Sequence, residues 1–178
     1  MIHLLLNHLC SYLEQNIVDS SFFVGYLPGR DAVANQNVED GVYLTLLTIN
    51  ENSYAKNPFV YSRNANNQIT KQDPPIILEL GIMISAYYRD YVESLKAISK
   101  VIQKLADKRM FQTDDFSFTL EMYNLSMDQS NNLWQALSTN VLPNVMYKIR
   151  HVHIVPDFDA NVEASPEVVE LTINTKKK

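Results

Sequence analysis

Apolar residues open the chain at three- and four-residue steps: Ile2, Leu5, Leu6, Leu9, Leu13 and Ile17. That spacing predicts an amphipathic helix over residues 2–17 with one stripe turned to a core. His3 and His8 fall off the stripe, five apart, a poor spacing for a metal pair. The pattern then weakens. Residues 18–40 carry Asp19-Ser20-Ser21, Gly25, Pro28-Gly29 and the polar run Asn35 to Asp40, so they read as a long connection with a short strand at Phe22–Tyr26. A connection this long inside a domain is unusual and often functional. Residues 41–51, Gly-Val-Tyr-Leu-Thr-Leu-Leu-Thr-Ile-Asn-Glu, are rich in β-branched and aromatic residues and read as a strand buried on both faces or nearly so.

Residues 52–75 are a polar, hairpin-like excursion, punctuated by Asn57-Pro58, Arg63 to Gln68 and Asp73-Pro74-Pro75, with a short strand at Phe59–Tyr61. Residues 76–88 alternate as a second strong strand. Ile76, Leu78, Leu80, Ile82, Ile84 and Ala86 share one face; Ile77, Glu79, Gly81, Met83 and Ser85 share a mixed face that is partly wet or meets a partner. Over residues 89–107 the period returns to that of a helix, through Tyr91, Leu95, Ile98, Ile102 and Leu105, and Lys104, Lys108 and Arg109 gather at its end, where cations suit the helix dipole. Phe116, Phe118, Leu120 and Met122 then alternate with polar residues in a half-buried strand. Ser126 caps a short helix over 127–138, on which Trp134 packs against the sheet, and Pro143 bars the helix from continuing. Residues 145–154 form a last strand, and Val168–Ile173 a strand-like arm beyond Pro156 and Pro166.

The helix over 89–107 has the length of a crossover between strands. The expected class is therefore α+β: a single mixed β-sheet with the N-terminal helix and the crossover helix packed on it. Residues 1–154 would form the domain and 155–178 a C-terminal extension or arm. The length of 178 residues suits one domain, and 46% apolar with 20% charged residues is ordinary globular usage.

Charge and motif content exclude more than they select. The formal net charge is −5, and the dense basic run is Lys176-Lys177-Lys178, which reads as a solvated tail. Neither nucleic acid nor an anionic membrane has a positive case. The single cysteine, Cys10, sits between Leu9 and Leu13 as a small buried apolar residue and permits neither an intrachain disulfide nor a cysteine-based zinc site. The start of the chain lacks the basic flank and cleavage site of a signal peptide, and no apolar run approaches a membrane span, so cytoplasmic synthesis and assembly is the expectation.

Catalytic signatures are not found. The four glycines, Gly25, Gly29, Gly41 and Gly81, are far apart and build no phosphate loop, and there is no Gly-x-Ser-x-Gly elbow. The nearest metal candidate is His151-Val152-His153, two histidines on one strand face, followed by Asp157 and Asp159. The plainer reading makes them polar residues of an outer strand face. Asp114-Asp115 are adjacent on a turn and point apart. No catalytic residue, metal or cofactor is expected. The ten tyrosines and the tryptophan suit interfaces as well as core; Tyr87, Tyr88 and Tyr91 cluster at a strand-to-helix junction.

One stretch adds a resemblance: Leu120-Glu-Met-Tyr-Asn-Leu-Ser-Met-Asp-Gln-Ser-Asn-Asn-Leu-Trp-Gln-Ala-Leu137, then Leu142-Pro-Asn-Val-Met-Tyr-Lys-Ile-Arg150. With the opening helix, the Val42–Asn50 strand and the Pro-Pro-entered Pro74–Leu105 segment, it resembles the N-terminal domain of the cap (tail-terminator) proteins of extracellular contractile injection systems. The resemblance covers about residues 2–154. It implies a structural protein and not an enzyme: a homohexameric ring at the end distal to the baseplate, stopping growth of the inner tube and sheath in a particle that is released. Its partners would be itself, tube and sheath proteins, and a second cap or adaptor. The candidate interface comprises Tyr147, Lys148 and Arg150 on the last strand and Val168, Val169, Leu171 and Ile173 on the arm. The loops 18–40 and 52–75 are further candidate contacts. The alternatives are a cap adaptor, another tail-completion or head–tail joining protein, and a small metal-dependent hydrolase using His151, His153 and Asp157.

Overall fold

A computed structural model describes residues 1–27, 38–52, 60–63, 69–72, 76–113 and 116–154. The first helix, α1 (Ile2–Asn16), buries Leu5, Leu6, Leu9, Cys10 and Leu13, the stripe its spacing predicts. Each large apolar side chain sealed this way contributes about 1.5–3 kcal/mol. The chain then enters β1 (Phe22–Val24) and β2 (Gly41–Glu51), which pair in parallel, Phe22 beside Val42 and Val24 beside Leu44. The short hairpin β3 (Val60–Arg63) and β4 (Ile69–Gln72) forms its own two-stranded sheet inside the polar excursion.

The next strand, β5 (Ile76–Tyr87), runs antiparallel to β2 and leads through Asp90 into helix α2 (Tyr91–Asp107). Asp90 caps that helix, its Oδ1 accepting from Val92 N at 2.9 Å. Strands β6 (Met110–Gln112) and β7 (Ser117–Tyr123) follow as an antiparallel pair. Helix α3 (Met127–Leu137) starts at a capping box in which Ser126 and Gln129 satisfy each other's backbone N–H groups. Strand β8 (Asn144–Ile154) then inserts between β5 and β7, antiparallel to both.

The main sheet thus has six strands in the order β1-β2-β5-β8-β7-β6. It is mixed because β1 alone joins in parallel. The α+β architecture anticipated from the sequence is present. The crossover through α2, however, does not land beside β5: the later β8 takes that place, the long hydrophobic strand filling the centre.

Two apolar layers flank the sheet. On one face α1 and α2 cover Val42, Leu44, Leu80, Ile82, Ile84, Ile149 and their neighbours. On the other, α3 places Trp134 over Met83 and Met146, with Leu27 alongside. The mixed face of β5 is therefore dry from Gly81 to Ser85 and wet only toward Ile77 and Glu79. Strand β2 is sealed on both faces only in its first half; Thr48 to Glu51 are exposed, because neither helix layer extends that far.

The buried stripe of α2 is Ser94, Ala97, Ile98, Val101 and Leu105. Tyr91 and Leu95, expected in the core from their period, stand 62% and 44% exposed. The helix is rotated because its small residues, Ser94 and Ala97, let it approach the sheet. Ser94 Oγ accepts from Tyr88 N at 3.1 Å, which fixes that approach. The Tyr87–Tyr88–Tyr91 cluster accordingly divides: Tyr87 and Tyr88 are half-buried and Tyr91 faces out.

Candidate interaction surface

Beyond the reach of α3, the face of the sheet that α3 covers carries charge. Register places Glu79 of β5, Lys148 and Arg150 of β8 and Glu121 of β7 side by side across three strands. Arg150 Nε lies 2.7 Å from Glu121 Oε2, and its Nη1 3.7 Å from Glu79 Oε1. Lys148 Nζ is 3.8 Å from Glu79 Oε2 and 5.8 Å from the centre of the Tyr123 ring. Asn52 Nδ2 donates to Glu79 Oε1 at 3.2 Å, closing the row at β2. Half-exposed pairs of this kind contribute little stability, roughly 0–1 kcal/mol each. Their alternating signs instead hold the four side chains of the row in one arrangement.

A β-bulge shapes this row. Leu78 pairs with Val152 and Leu80 with Ile149, so Glu79 faces the two residues Arg150 and His151. His151 takes a left-handed backbone with φ 65°. Its Nδ1 lies 3.2 Å from Thr119 Oγ1. The extra residue resets the alternation, and Val152 returns to the core, 1% exposed.

The candidate interface residues on β8 separate. Lys148 and Arg150 belong to the charged row. Tyr147 does not: it is 4% exposed and packs into the core beneath α2. Burial raises its phenol above the usual tyrosine range, and Arg109 opposes the shift. Alternation along a strand puts Tyr147 and Lys148 on opposite faces, which rules Tyr147 out of that surface. Val168, Val169, Leu171 and Ile173 lie outside the described residues, as do the rest of the 155–178 extension, residues 28–37 of the 18–40 candidate loop and most of the 52–75 candidate loop.

Metal chemistry finds no geometric support among the described residues, where no group of three His, Cys, Asp or Glu side chains converges. His151 and His153 are exposed on β8, and Asp157 and Asp159 lie outside the described residues. Cys10 is buried, with its thiol pushed up to about 11 by burial and by Glu14, so it is no nucleophile near neutral pH. His8 packs edge-on against Phe111 and Phe116 in a structural role.

Both margins of the sheet offer backbone. Strand β1 flanks β2 only from Val42 to Leu44, with Gly25 N donating to Leu44 O just beyond, and Leu46 to Asn50 have no strand on that side among the described residues. Strand β6 flanks β7 only from Ser117 to Thr119, with Leu120 N donating to Arg109 O, and Glu121 to Tyr123 have no strand on that side among the described residues. Large apolar side chains stand exposed along these margins: Val24, Tyr26 and Ile49 on one, Met110 and Met122 on the other. Strand β6 escaped the sequence reading because three residues carry too little period. The signal was Met110-Phe111-Gln112 before the Thr113-Asp114-Asp115 turn, a hairpin pattern leading into β7.

Among the described residues no helix is long and apolar enough to cross a membrane. The model of a family described as the Pvc16 N-terminal domain matches residues 2–169. Two cryo-electron microscopy structures share the fold. The sheath/tube terminator of the PVC extracellular contractile injection system, in its extended state, aligns with TM-score 0.67 at 15% identity, over 97% of this chain and 63% of that one. The anti-feeding prophage cap, a tube-terminating cap, aligns with TM-score 0.66 at 15% identity, over 94% of this chain and 59% of that one. This chain thus spans about three-fifths of the length of either. No curated protein matches it.

Proposed function

The chain belongs to the Pvc16 N-terminal domain family, and on that footing we propose that it is a structural cap of a contractile injection system. It acts as a ring of identical copies, seated on the inner tube and sheath at the end distal to the baseplate, and it stops their growth. Residues 1–154 are the body of the cap and 155–178 an extension that reaches a neighbour. The chain assembles in the cytoplasm into a particle that is later released. Its partners are further copies of itself, tube and sheath subunits, and a second cap or adaptor.

The single observation behind this reading is the shared fold: almost the whole chain superimposes on two terminators of such particles. The surface is suited to the task. A terminator must present rigid, directional contacts and needs no reaction centre. Here the described residues supply a charged row on three locked strands and two sheet margins open to strand addition, a mode whose affinity resides in backbone hydrogen bonds.

The test is the length distribution of particles from a producer lacking this chain, measured by negative-stain electron microscopy. Over-long or open-ended tubes and sheaths are the expected result. Normal particles of normal length would remove the proposal.

A further inference from the structure

The two open margins of the sheet are stepped in opposite senses. Strands β1, β2, β6 and β8 run one way and β5 and β7 the other, as their pairings require. Strand β1 covers the start of β2, and β6 covers the start of β7. Because β2 and β7 are opposed, the covered stretches lie at opposite ends of the sheet. One margin therefore projects where the other recedes. A second copy set beside the first in the same orientation brings its β1 opposite Glu121–Tyr123 of β7, and its open Leu46–Asn50 opposite β6. The first of these contacts is antiparallel and the second parallel, and both are permitted ladders.

The side chains at the two margins match as well. The described residues 1–27 and 38–52 contain no lysine or arginine, and Glu39 and Asp40 stand exposed at the head of β2. The opposite margin carries Lys104, Lys108 and Arg109 where α2 runs into β6. Its carboxylates among the described residues are Asp107 and Glu121, the latter held by Arg150 at 2.7 Å. A groove of about 230 Å³ opens there, lined by Ile102, Leu105, Leu120, Met122 and Tyr147 with Arg109 at its rim. On the acidic margin Tyr26 stands 94% exposed, an aromatic ring with an apolar body and no cover of its own among the described residues. Exposed edges are commonly guarded by lysine or proline. The stretch Leu46–Asn50 has neither, and it carries the exposed Ile49.

We propose that these margins are the two halves of one head-to-tail contact between copies of this chain, the β6–β7 margin of one meeting the β1–β2 margin of the next, with Tyr26 entering the α2–β7 groove. Such a contact is heterologous, so its repetition closes into a ring or grows without end. The inference rests on the reading of the chain as a ring-forming cap and names the surface that builds the ring.

The experiment uses the full chain and two exposed substitutions, Ile49→Lys on the acidic margin and Met110→Glu on the basic one, with sedimentation velocity as the readout and far-UV circular dichroism as the check of folding. Each substitution sets a charge into a contact whose facing segments, Leu46–Asn50 and Met110–Gln112, carry none, and each variant alone is expected to assemble about 10- to 100-fold more weakly than wild type. An equimolar mixture is expected to recover dimers or larger species, because each variant keeps the margin the other has lost. Tyr26→Lys and Arg109→Glu lie in exposed, irregular backbone and repeat the test if either strand variant folds poorly. Assembly of all four variants at wild-type strength, or a mixture no more associated than its components, overturns the proposed contact while the ring reading stands. A wild-type chain that stays monomeric at its highest soluble concentration overturns both.

Discussion

Glu79 and Arg150 face each other across β5 and β8 at 3.7 Å, at the place where β8 carries one residue too many. The bulge lets a single carboxylate meet both Lys148 and Arg150, and it returns Val152 to the core. The charged row and the packing of the end of β8 thus depend on one backbone irregularity.

That irregularity is testable at His151, whose φ of 65° suits glycine and opposes β-branched residues. His151→Gly is expected to hold or raise the urea midpoint, whereas His151→Val is expected to lose about 1–2 kcal/mol. Equal losses in both would assign the stability to the Thr119 contact and not to the backbone.

Gly41 marks a close approach of a different kind. A Cβ there would sit 2.6 Å from the Phe23 ring and 2.8 Å from the Ser21 carbonyl, which itself accepts from Val42 N. Gly41→Ala must push β1 away from β2, and a loss of about 1–3 kcal/mol is expected in denaturant unfolding. The same substitution is expected to weaken self-association, because β1 forms half of the joint between copies.

Trp134 anchors α3 over Met83 and Met146 and is 6% exposed. Trp134→Ala should cost about 3–5 kcal/mol in the same assay. Removing the indole should also uncover Met83 and Met146, so enhanced binding of a hydrophobic dye at sub-denaturing urea is the accompanying sign.

The alkaline limb of stability has a defined direction. Burial and Glu14 raise the Cys10 thiol from 9.0 to about 11. A thiol that ionises more readily in the unfolded chain stabilises the fold fully below pH 9, and that contribution is lost as pH climbs from 9 through about 11. Tyr43, Tyr123 and Tyr147 are also shifted upward, chiefly by burial, and add to the loss above pH 10. Cys10→Ala should therefore flatten the pH 9–11 slope without abolishing it; an unchanged slope would leave the phenols as its whole cause.

Periodicity alone located α1, the long strands β2, β5 and β8, the capped helix α3 and the α+β class. Those elements are long or sharply punctuated, so local pattern and tertiary structure agree. The outcome differed where two elements compete for the same residues. Tyr91 and Leu95 have helical spacing, yet the close approach of Ser94 and Ala97 turned them outward. The interface candidates diverged for a related reason: Tyr147 and Lys148 are neighbours in sequence but opposite in the sheet, so one entered the core and the other the charged row.

By itself the sequence determined what can be buried and at what period, because the hydrophobic stripe of a helix and the alternation of a strand are local properties of the chain. It also disfavoured a phosphate loop and cysteine chemistry, which require particular residues at particular spacings. Only the tertiary structure decided that β8 would divide β5 from β7, that a bulge would set His151 against regular alternation, and that the sheet would end in two opposed steps. Strand order and register are settled by contacts between distant segments, whose combined burial outweighs the small local preference of any one residue.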